Sequence, residues 1–142
     1  MSIDKNTAMI IWNSIYGSQT QFVLDCFGTY ICKMDYGDYD TTRQRPGGDG
    51  KDHQYGWDVD HIRPKASFDD ESEADFYNNY EPMHRENNIK KSDHFPGFSV
   101  GKTEYTVVNC EICTNNGKKG YGIQEVLTGK RIDWKGVRGK CF

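Results

Sequence analysis

Residues 55–68 read YGWDVDHIRPKASF, and they limit the chain's options more than any other stretch. Trp57-Asp58-Val59 is a strand-like run, Asp60 and His61 are poor strand formers, and Arg63-Pro64 closes the segment. A short strand therefore has to end in a polar corner. That corner sets a hard oxygen ligand beside an imidazole that titrates near neutral pH. It is either an idle surface turn or the centre of the protein.

Composition bounds the setting. The chain has 142 residues, 27% of them charged, and a mean hydropathy of −0.85. That length suits one domain with a real core rather than two. No apolar run approaches the ~18 residues that a membrane span needs. The opening MSIDKNTAMIIW carries Asp4 and lacks a basic region ahead of a long apolar core. No secretory signal is expected from it, and a cytoplasmic setting is. Net charge is −3 but unevenly placed: residues 1–83 hold 7 Lys/Arg against 15 Asp/Glu, and residues 84–142 hold 11 against 6. An acidic front and a basic back let a chain meet a polyanion while staying soluble, although uneven surface charge alone gives the same counts.

Five cysteines without a secretory signal argue against a disulfide framework. Cys110-Glu111-Ile112-Cys113 has the spacing of half a zinc site, and Cys26 with Cys32 is a looser pair. Five residues separate the members of that second pair, more than a zinc knuckle uses. Reduced thiols are the expectation, and a four-thiolate zinc site is the alternative.

The remaining pattern is α+β. Asp4 or Thr7 can cap a helix running to Tyr16, with Met9, Ile10 and Ile15 as apolar positions and Gly17 as its stop. QFVLDCFGTYICKM predicts a hairpin turning around Asp25 to Gly28. Residues 35–54 are rich in Gly and Asp and predict a loop. SFDDESEADFYNN predicts an acidic connector, and MHRENNIKKSD a short helix. EYTVVNCEI, GYGIQEVL and RIDWKGV predict strands, with turns at Asn115-Asn116-Gly117 and Thr128-Gly129.

The informative pattern joins DHIRP to NNYEPMHRENNIKKSD, residues 78–93. A helix over residues 83–91 would put His84 and Asn88 at i and i+4 on one face. A hairpin carrying Asp60 and His61 across that face would make a compact metal site. These residues resemble the HNH nuclease family, whose pattern runs Asp-His, a central Asn, then Pro-x-His-x-x-x-Asn-x-x-Lys. The match covers about residues 55–93, with IIWNSIYG and YGW as weaker likenesses upstream.

The resemblance implies a ββα-metal core over 55–93. An N-terminal helix and β-hairpin would precede it over 1–54, and a β-rich basic C-terminal extension would follow over 94–142. It implies His61 as general base, Asp60 and Asn88 as metal ligands, and His84 as a further ligand in part of the family. Asn79 would be the central Asn that fixes the loop holding His61. Seventeen residues lie between His61 and Asn79, more than the family usually has, which leaves Asn78 as an alternative for that role. The connector is also acidic and would limit substrate access if it lay near the site.

Phosphodiester hydrolysis accounts for these residue types. Attacking water must lose a proton, and an imidazole near neutral pKa suits that task, contributing about 10²–10⁴ in rate. Charge develops on the phosphoryl and 3′ leaving oxygens, which one divalent ion would neutralise. A carboxylate with an amide suits Mg²⁺ or Mn²⁺, and His84 as third ligand extends the choice to Zn²⁺ or Ni²⁺. The family implies products with 5′-phosphate and 3′-hydroxyl ends. Double-stranded DNA is the expected partner, with a homodimer where both strands are cut, because one site cuts one strand.

Arg63, Lys65, Arg85, Lys90 and Lys91 are candidates for phosphate contacts, although each alone is also an ordinary surface charge. Tyr121 and Trp134 lie among basic residues of the tail and would extend a DNA-gripping face. His53 and His94 fall outside the motif and are expected at the surface. Two other readings stay open. One is a non-catalytic nucleic-acid-binding module with structural zinc, which has no need for an uncoordinated imidazole beside Asp60. The other is a nuclease activated only by a protein partner or regulator.

Overall fold

Turn residues cut this chain into short elements. The computed structural model describes residues 3–115 and 118–142. It is a mixed α+β structure with the order α1 (Lys5–Tyr16), β1 (Phe22–Leu24), β2 (Tyr30–Cys32), β3 (Thr42–Arg43), β4 (His53–Gln54), β5 (Trp57–His61), β6 (Tyr80–His84), α2 (Arg85–Lys91), β7 (Gly97–Val100), β8 (Thr103–Asn115), β9 (Lys118–Glu125) and α3 (Trp134–Arg138). The sheets are small: β1 pairs with β2, β3 with β4, β5 with β6, and β7, β8 and β9 form a three-stranded sheet. Among the described residues no helix is long and apolar enough to cross a membrane. Of the expected Asn115-Asn116-Gly117 turn, Asn116 and Gly117 lie outside the described residues. The chain divides into two compact units, Met1–Val59 with Pro82–Asn88 and Asp60–Glu81 with Ile89–Phe142.

In the first unit α1 begins where the Asp4 carboxylate accepts from Thr7 N–H at 2.9 Å, and ends at Gly17 with φ 93°. Its buried face is Ala8, Ile11, Trp12 and Ile15, spaced i, i+3, i+4, i+7. Ile10, expected on that face, is 51% exposed, because it stands about 100° from its buried neighbour Ile11. Trp12 packs on Trp57 with ring centroids 4.9 Å apart, and Ile31 and Met83 are fully buried. Each such side chain contributes about 1.5–3 kcal/mol by leaving water. The β1–β2 hairpin turns through Asp25, whose Oδ1 accepts from Phe27 and Thr29 N–H, and Gly28 takes φ 86°. The stretch expected as loop, 35–54, carries the short ribbon β3–β4, with Thr42 opposite Gln54. Gly56 must be glycine, since a Cβ there would stand 2.1 Å from Asp38 O.

The second unit is built on β7–β8–β9, with Ile62, Phe98, Cys110, Ile123 and Trp134 in its core. The RIDWKGV run, expected as strand, gives one bridge between Arg131 and Gln124 and then turns helical. Asp133 causes the change: its carboxylate caps α3 by accepting from Gly136 N–H. The acidic connector folds as two 3-10 turns, Glu71–Ala74 and Tyr77–Asn79.

Candidate active site

The residues around His61 lie in the second unit. Asn79 is fully buried and spends its whole amide on backbone. Its Oδ1 accepts from Arg63 N–H at 2.9 Å, while Nδ2 donates to Arg63 O at 3.1 Å and to Ala74 O at 3.0 Å. Ile62 N–H donates to Asn79 O at 2.8 Å. The corner after His61 is thus tied on both sides by one residue. Asn78, the alternative for this role, points elsewhere and accepts from Phe142 N–H at 3.0 Å.

His61 sits edge-on to Tyr80 and is bonded through Nε2 to Asp75 Oδ1 at 2.7 Å. Lys65 reaches the same Asp75 oxygen at 3.9 Å. Asp75 comes from the acidic connector and has no place in the motif, so the spacing gave no sign of it. Its signal was weak: one carboxylate among several in the loop that precedes Asn79.

Asp60 is buried, and its Oδ2 lies 3.0 Å from the ammonium of Lys91, which is itself fully enclosed. Lys91 Nζ also donates to His61 O at 3.3 Å. Lys91 was expected at substrate phosphates; without exposed surface, its charge is spent on Asp60 and the strand end. Arg63 is held likewise. Its guanidinium donates to Ser67 Oγ, Ser67 O and Tyr121 Oη, at 3.0, 2.9 and 3.0 Å, and lies 4.1 Å above the Phe68 ring. Those bonds make Arg63 first a brace of the corner. Lys65 is half-buried and Lys90 exposed.

The first unit holds the other motif residues. His84 ends β6 instead of lying in a helix, because its N–H donates to the buried Asp25 Oδ2 at 2.9 Å. Both ring nitrogens are engaged: Nδ1 accepts from Glu86 N–H at 3.1 Å, which leaves Nε2–H to donate to Gln54 O at 3.0 Å. As it stands the ring caps α2 and offers no lone pair to a metal. Asn88 is half-buried on α2. Its neighbour Asn87, which the motif does not use, is buried and donates to Asp25 Oδ2 and Thr29 Oγ1, both at 2.9 Å. Arg85 is exposed with its guanidinium 4.4 Å from the Tyr39 ring, and the Tyr39 hydroxyl donates to Asp58. Burial and that bond to Asp58 push the Tyr39 phenol above its usual range. His53 is exposed and pairs with Asp49 at 2.8 Å, beside an open cleft of about 340 Å³.

Two expectations for the tail are corrected. Cys113 is bonded to Cys141, where no disulfide was expected, while Cys26, Cys32 and Cys110 remain thiols. Trp134 is buried with its Nε1 donating to Tyr80 O at 3.0 Å, so its ring is closed to a nucleic-acid base. No protein-family model, curated protein or solved structure matches this chain.

Proposed function

We propose that the chain is a metal-dependent DNA endonuclease of the ββα-metal type, cutting phosphodiester bonds with His61 as general base. The observation that carries this reading is the Asn79 clamp. A buried amide tied three times to backbone holds the corner after Asp60-His61, and a base needs such fixing to meet a water in line with a phosphate. The Asp75 carboxylate orients the imidazole and supports the positive charge it gains with a proton. The strand order β5, β6 followed by α2 agrees with the core that the resemblance implies.

The ligands drawn from the resemblance are Asp60 and Asn88, with His84 as a third only if its ring gives up a backbone bond. Asp60 suits a cation: it is a buried hard carboxylate, and it already carries the ammonium of Lys91. A Mg²⁺ or Mn²⁺ ion bound there would offset the charge developing on the phosphoryl and 3′ oxygens. The exposed cations Arg85 and Lys90 and the half-buried Lys65 are the candidates left for the DNA backbone, and DNA is the partner that the basic half of the chain suits.

Plasmid cleavage by the purified chain tests this, with Mg²⁺, Mn²⁺, Ni²⁺ or Zn²⁺ against EDTA and with His61→Ala and Asn88→Ala alongside. Metal-dependent nicking or linearisation that His61→Ala abolishes is the expected result. DNA binding without cutting in wild type and variants alike would leave a binding module, or a nuclease that waits for a partner.

A further inference from the structure

The cysteines of the second unit form a cluster that the nuclease reading does not use. Along β8 and β9 the register jumps: Cys110 faces Gly120 and Thr114 faces Lys119, so four steps on one strand match a single step on the other. On a regular strand, residues three apart point to opposite faces. The bulge instead turns Cys110 and Cys113 inward together, with their Sγ atoms 2.8 Å apart, while Ile112 between them is 62% exposed. Gly120 makes the inward turn feasible, since a Cβ there would meet Cys113 Cβ at 2.9 Å and Asn78 Cβ at 2.8 Å. Cys141 returns from α3 to the same point, and all three Sγ atoms lie within 4.8 Å of one another.

We propose that, in its reduced form, the chain binds one thiophilic divalent cation, Zn²⁺, through Cys110, Cys113 and Cys141. Zinc–sulfur bonds of about 2.3 Å in a tetrahedron set sulfurs about 3.8 Å apart, within the spread this cluster spans. The Cys-x-x-Cys turn has the spacing of a zinc knuckle, and the fourth position goes to water. Two basic side chains border the cluster: the Arg131 guanidinium bonds Cys110, and Lys135, fully buried, acts on the same sulfur.

Loading starts from the disulfide. A low-molecular-weight thiol reductant supplies two electrons to the Cys113–Cys141 bond and leaves as its own disulfide, and two protons complete the freed thiols. Metal binding then displaces the thiol protons of the three cysteines. The ion would brace more than its own ligands. Phe142 follows Cys141, stacks on Tyr77 and bonds Asn78, next to the Asn79 clamp.

The test is Co²⁺ titration of the full chain, reduced with a phosphine and freed of metal. The expected result is one thiolate-to-cobalt charge-transfer band in the near ultraviolet, saturating at one ion per chain and erased by added Zn²⁺. Cys113→Ser should lose the band and Cys26→Ser should keep it. Because Cys113→Ser also puts a hydroxyl at a buried position of the sheet, alkylation of wild type gives an independent readout. With free Zn²⁺ at about ten times its dissociation constant, modification of Cys110, Cys113 and Cys141 should slow about tenfold, and that of Cys26 should not. No thiolate band once thiol titration shows all five cysteines reduced, or a band that survives Cys113→Ser, overturns the proposal. A cobalt–thiolate band in a chain that never cuts DNA would sink the nuclease reading and leave this one standing; cleavage without the band would do the reverse.

Discussion

Asp75 Oδ1 lies 2.7 Å from His61 Nε2, so a carboxylate from the acidic connector holds the imidazole that the motif marks as the base. A partner of this kind fixes ring orientation and tautomer. Asp75→Asn should lower the DNA cleavage rate about 10–100-fold, against about 10²–10⁴ for His61→Ala. Single-turnover cleavage at saturating protein separates the two. A faster Asp75→Asn enzyme would mean instead that the connector acts as a brake on the base.

Asn79 and Asn78 are adjacent, yet only Asn79 ties the corner at Arg63. Asn79→Ala strands Arg63 N–H and the carbonyls of Arg63 and Ala74 in a buried place. Each stranded group costs about 1–3 kcal/mol, so the three together should cost at least about 3 kcal/mol in urea unfolding. Asn78→Ala should cost less than half as much. Equal losses would remove the distinction between the two.

The contrast between these asparagines marks what the sequence could reveal. Features set by neighbours were legible: the Asp4 cap and Gly17 stop of α1, the Asp25–Gly28 hairpin turn, and the order of Asp60, His61, Asn79 and His84. Features set across long separations were not. His84 leaves the helix because of Asp25, fifty-nine residues earlier, and both ring nitrogens are then taken by backbone. Lys91 and Trp134 look like surface groups in one dimension and are buried in three. Cys141 meets Cys113 only because β8 bulges, and no local pattern announces that bulge.

Lys91 tests Asp60 as a cation site. Lys91→Met keeps an unbranched apolar stem but removes the ammonium 3.0 Å from Asp60 Oδ2. Losing one side of such a buried pair costs about 3–5 kcal/mol. A divalent ion bound at Asp60 replaces that missing charge, so Mg²⁺ should raise the melting temperature of Lys91→Met by more than that of wild type. An equal shift in both proteins would count against Asp60 as a ligand.

Asp133 gives the acid limb of stability. Burial alone would raise its carboxyl, but Arg131 at 2.7 and 2.9 Å, the Lys135 ammonium at 3.7 Å and Ile123 N–H at 2.9 Å outweigh that and hold it below the usual carboxylate range. A folded value below the unfolded one, about 3.9, means the unfolded chain binds the proton first as pH falls. The contribution is therefore complete above that pH and drains away as pH drops through the lowered folded value. Asp133→Asn removes the charge and leaves one oxygen for Ile123 N–H, while Gly136 N–H, which bonds the other oxygen, loses its acceptor. It should cost about 3–5 kcal/mol at neutral pH, because Arg131 and the buried Lys135 lose their counter-charge. The gap between wild type and variant in urea unfolding should then close as pH falls below about 4. A gap that stays constant from pH 7 to pH 3 would show that Asp133 acts through its hydrogen bonds and not through its charge.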